Sequence, residues 1–166
     1  MINNNYEILY FFKFGLELNL IPKEWITNWA DQLIMDDKND NSDVVIDLSM
    51  ASYSSAQLTI LNLELEKEHE IPNLKYIGQA LVGLISRKLN KGSINIDSAS
   101  HENYQLQLFF LQEIDVSLGG FELDDYYQLA RQKIVGDYES EKQKLRKYLL
   151  DCEKNLNELL IRHSIN

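Results

Sequence analysis

Apolar side chains recur at three- and four-residue steps along nearly the whole chain, the spacing of helices rather than strands. The pattern predicts a mostly α fold: a single helical domain over residues 1–166, a bundle built from helical hairpins with a long C-terminal helix. Tyr6 to Asn19 is too densely apolar for one stripe and predicts a helix deep in the core. Pro22 suits the first turn of a second helix running to Met35, with Trp25, Ile26, Trp29, Ala30 and Leu33 on its apolar face. After a polar loop from Asp36 to Asp43, a short helix is expected over Val44 to Ala51, broken by Ser52 to Ser55.

Leu58 to Glu70 reads two ways. Leu58, Leu61 and Leu65 keep helical spacing, while Leu61, Leu63 and Leu65 alternate as in a strand. Helix is favoured, because Glu and Lys form helices well and are depleted in strands; the alternative is one minor strand element. Leu74 to Asn90 predicts a firm helix ended by Gly92. Asp97 or Ser98 offers a cap for the next helix, which runs through Ile114 to a stop at Gly119 and Gly120. Asp124 is expected to cap a helix from Asp125 to Val135, closed by Gly136.

The last helix, Tyr138 to His163, places Leu145, Leu149, Cys152, Leu156 and Leu159 at steps of four and three. Such a heptad seam docks on the bundle, the favoured reading, or on a second copy to form a homodimer. The segments Ile21 to Ala30 and Phe121 to Ala130 share an apolar and aromatic pattern, as second arms of two helical hairpins.

Charge changes the picture more than composition does. Residues 1–130 carry 8 Lys/Arg against 20 Asp/Glu, net −12, whereas residues 131–166 carry 8 against 6, net +2. Neither Lys nor Arg lies between Lys91 and Arg131, an interval holding Asp97, Glu102, Glu113, Asp115, Glu122, Asp124 and Asp125. Such a field repels phosphate backbones and argues against nucleic acid. It attracts a basic protein and speeds the encounter. The apolar runs are too short to span a bilayer, which argues against a membrane role. With no basic leader and one cysteine, the expected location is cytoplasmic.

The motifs of catalysis and metal binding fail on inspection. Asp37, Asn39 and Asn41 alternate as in a calcium loop, but Ser42 stands where Gly is needed and Leu48 where a bidentate Glu is needed. Neither His69, His101 nor His163 has zinc-helix spacing, and Glu68-His69-Glu70 reads as a hydrated surface trio. Cys152 sits in the seam as a small buried hydrophobe. Gly119-Gly120 lacks the Lys and Ser/Thr of a phosphate loop. The expectation is no enzyme, no cofactor and no metal.

The order of a Leu20-Ile21-Pro22 turn, a Trp helix ending Ala30-x-x-Leu33, an acidic loop and Val45 to Ala51 resembles small bacterial proteins encoded beside polymorphic toxins and regarded as immunity proteins. The resemblance covers residues 10–51 and carries no site residues with it. It implies an immunity protein that neutralises a toxin by occlusion. The acids Asp37, Asp40, Asp43, Glu122, Asp124 and Asp125, with the aromatic Tyr126 among them, nominate a protein-binding surface facing a basic toxin domain. Trp25, Trp29 and Tyr127 stand between anchor and core roles. The rival expectation is a helical scaffold or regulatory subunit assembling through the C-terminal helix.

Overall fold

The computed structural model describes residues 6–36, 43–67 and 71–165, and among these every regular element is a helix. In order they are α1 (Tyr6–Glu17), α2 (Lys23–Met35), α3 (Asp43–Met50), α4 (Ser54–Leu65), α5 (Leu74–Asn90), α6 (Ile96–Glu113), α7 (Phe121–Arg131) and α8 (Tyr138–Arg162). The protein is mostly α, as the three-to-four spacing predicts. Leu61, Leu63 and Leu65 belong to α4, so the strand alternative is not realised there; this helix starts at Ser54, inside the expected break.

Helix ends follow one backbone device four times. Beyond α1, α5, α7 and α8 a residue takes a positive φ: Asn19 (54°), Gly92 (71°), Lys133 (59°) and Ser164 (54°). Each time the next amide reaches back five residues and its own amide three, as in Leu20 N to Gly15 O (2.8 Å) and Asn19 N to Leu16 O (3.1 Å). This pairing satisfies carbonyls that the last turn would leave bare. At α7 it acts earlier than expected. Lys133, not Gly136, makes the stop, and Ile134 and Val135 lie exposed outside the helix.

The described residues gather into two compact units. The first holds those of Met1–Asn73 with Leu159–Asn166, and its interior is apolar. Ile8, Leu9, Phe11, Phe12, Phe14 and Leu16 of α1 are all buried, confirming a core helix rather than a surface stripe. Phe12 meets the buried Trp29 of α2 edge-on at 5.3 Å, a favoured aromatic geometry. Gln57 of α4 donates to the Lys23 carbonyl (3.2 Å) and to Thr27 Oγ1 (3.1 Å), tying α4 to α2. Glu7 accepts from Arg162 at 2.6 Å, joining α1 to the chain's last turn.

The second unit is Leu74–Glu158. Its central helix α5 buries a continuous run from Ala80 to Ser86. Gly83 permits its closest approach to α8: a Cβ there would lie 2.8 Å from both the Cys152 carbonyl oxygen and Leu156 Cβ. Leu145, Leu149, Cys152 and Leu156 are each 3% exposed or less, so the heptad seam is buried within the chain. It is therefore not a free surface for a second copy.

Candidate functional site

The second unit differs from the first in what it buries. Ser100, Asn103 and Gln107 fall at helical steps of three and four on α6, and all three are buried. They face Asp124 of α7, which is 1% exposed. Ser100 Oγ donates to Asp124 Oδ1 (3.1 Å) and Asn103 Nδ2 to Asp124 Oδ2 (2.5 Å). Gln128 donates to Ser100 Oγ (3.3 Å). Gln107 donates to the Tyr148 hydroxyl (2.7 Å), and Gln79 to the Leu118 carbonyl (3.1 Å). The result is a polar network through the interior, with its donors and acceptors matched.

The local backbone makes room for it. Asn95 caps α6 by accepting from Ser98 N (2.9 Å), a role the sequence had suggested for Asp97 or Ser98. Before α7, Gly119 has φ +89°. Gly120 lies flat against Tyr148 and Gln107; a Cβ would enter the space of the Tyr148 ring. Only glycine fits where the network crosses the turn.

Beside the network a cleft of about 420 Å³ opens between α6 and α7, lined by Asp97, Ser100, His101, Tyr104, Asp124, Asp125, Gln128 and Arg131. Arg131 is committed to Asp97 at 3.3 Å, and Asp97 also accepts from the buried Tyr127 hydroxyl at 2.6 Å. Asp124 touches only hydroxyl and amide donors. Loss of hydration pushes its carboxyl up to about 7, against the opposing pull of Asn103 and Ser100. Burial likewise raises the Tyr148 hydroxyl, and it pushes the Cys152 thiol up to about 11. Burial in the α8 seam thus disfavours the thiolate and suits Cys152 to packing. Among the described residues no three His, Cys, Asp or Glu side chains gather as a metal set.

The nominated partner residues fare unequally. Glu122, Asp125 and Tyr126 are exposed together on α7. Asp124 corrects the sequence reading twice. It lies inside α7 rather than capping it, and its carboxylate is buried rather than displayed. Asp43 is exposed in the first turn of α3, in the other unit. Asp37 and Asp40, the calcium-like loop and Glu68-His69-Glu70 lie outside the described residues. Of the aromatics, Trp29 and Tyr127 are core and Trp25 is half-buried. Sequence reasoning missed Ser100, Asn103, Gln107 and Gln128, although Ser100, Asn103 and Gln107 already carry the spacing of a buried face. Compared with known proteins, the chain matches no protein family, no curated protein and no solved structure.

Proposed function

We propose that this chain is a non-enzymatic binding protein that engages a basic protein partner through the α6–α7 face, as an immunity protein does when it occludes a toxin. The observation that carries the reading is a pair of exposed acids on α7 that no cation answers among the described residues. Glu122 and Asp125 are exposed on α7, and among the described residues neither makes an ion pair within 4.0 Å. They sit in the interval between Lys91 and Arg131, which holds neither Lys nor Arg. Tyr126, 49% exposed between them and the helix's next turn, supplies an aromatic anchor. Charges at such a rim steer the encounter, and the anchor slows release.

Assembly as a scaffold through the α8 seam has less support, because the seam's leucines are already buried. The test is co-expression with a basic toxin domain encoded beside this chain's gene. The native chain restores growth, and a Glu122→Lys, Asp125→Lys double variant at equal abundance does so poorly, with association slowed by roughly tenfold. Equal protection by the double variant contradicts the electrostatic mechanism. The absence of any such toxin gene removes the immunity assignment.

A further inference from the structure

Among the lining residues of the α6–α7 cleft, three carboxylates face one guanidinium, and that guanidinium already belongs to Asp97. Asp124 and Asp125 are left without a cation among the described residues. Asp124 is the buried member of the cleft, and each of its oxygens is fixed by one donor, Ser100 or Asn103. A carboxylate oxygen has a second acceptor site, so the group is held in place and can still accept. Tyr104 lines the same space, its ring held against Phe121 at 5.1 Å. Exposed His101 also borders the cleft. A volume of about 420 Å³ is small among ligand pockets and suits one long side chain better than a folded element.

We propose that this cleft receives a single arginine side chain of the partner, its guanidinium set against Asp124 and Asp125 and its plane beside the Tyr104 ring. Arginine fits better than lysine for three reasons: a planar fork matches a carboxylate, stacks on an aromatic ring and loses less hydration on entry. The inference deepens the partner-binding reading by naming what enters the cleft, but its test needs no partner.

The probe is n-butylguanidinium, with n-butylurea as the uncharged isostere, titrated into the full chain by amide chemical-shift mapping. Butylguanidinium shifts Ser100, Tyr104, Asp125 and Gln128 with one-site saturation, and butylurea does not. Asp124→Asn keeps the fold, since the introduced amide can accept from Asn103 and donate to Ser100, and it weakens binding by about tenfold or more. Asp125→Asn, at an exposed position that carries little folding risk, weakens it by about threefold. No saturable shifts in the native chain, equal binding of butylurea, or undiminished binding in both variants overturns the proposal. Binding of the probe without rescue from any toxin leaves the cleft assignment standing and removes the immunity reading; the reverse result does the opposite.

Discussion

The two units bury different things. In the first, phenylalanines from one helix meet a tryptophan from the next, and polar groups enter the interior singly, as at Gln57. In the second, Ser100, Asn103, Gln107 and Asp124 occupy positions that apolar residues fill elsewhere. An apolar core needs only shape and volume, whereas a polar network needs every member in place. A buried carboxylate without a cation is costly for folding, so its presence points to a use outside folding. The first unit's Glu7 and Glu64 answer to Arg162 and Lys67, while Asp124 and Asp125 have no such partner among the described residues. The proposed binding face is the one whose buried chemistry stability alone does not explain.

The contrast can be broken at its apolar end first. Phe12 is fully buried against Trp29, so Phe12→Ala leaves a cavity and costs up to about 5 kcal/mol in denaturant unfolding. A loss under about 1 kcal/mol would mean the first unit is not held by this packing.

The pH dependence separates the units by sign. Asp124, raised to about 7 in the fold from an ordinary 3.8, keeps its proton in the native chain while the unfolded chain has lost it. Stability therefore falls as pH rises from about 4 to about 7, by roughly 4 kcal/mol, and is level above that. His163 works the other way. Burial lowers it despite Glu7, so the unfolded chain takes up a proton first and stability falls as pH drops below 6.5. Asp124→Asn removes the first slope and leaves the second. Identical pH profiles for variant and native chain would contradict the burial of an ionisable Asp124. Asp97, His101 and Asp125, which line the same cleft, are present in both chains, so the difference between the two profiles isolates Asp124.

A smaller loss sharpens the polar end. Asn103→Leu removes the donor to Asp124 and an acceptor of Gln107, at a cost of about 2 kcal/mol. Combined with Asp124→Asn the losses are expected to be non-additive, because the two sites share one network. Least of all, Glu122→Lys with Asp125→Lys changes stability by about 0.5 kcal/mol or less, since both are exposed. A large melting shift in that variant would show that these acids serve the fold.

The helices were legible because their spacing is; the site was hidden by the same rule. The sequence echo pairs Ile26 with Tyr126 and Trp29 with Leu129, yet the two helices turn different faces inward. Helix α2 buries Ile26, Trp29 and Ala30, while α7 buries Asp124, Tyr127 and Ala130. The α7 face is turned because Ser100 and Asn103 on α6 offer Asp124 its donors, a tertiary match that no window of one helix contains. Asp124 looked like a cap because capping acids and buried acids share an amino-acid identity and differ only in their neighbours. Asn95 took the role at α6 for a similar reason: several capping residues lie in a row, and backbone geometry chooses among them.

The claim that the second unit holds the binding face is tested most directly by titrating a short arginine-containing peptide into the isotope-labelled full chain and mapping which amides move. Saturable shifts are expected at Ser100, His101, Tyr104, Asp125, Tyr126 and Gln128, weakened by salt, with α1–α4 unchanged. The first unit offers the rival surface, with Met35 83%, Met50 76% and Tyr53 74% exposed. Shifts centred on those residues, or spread evenly over the acids of both units, would contradict it.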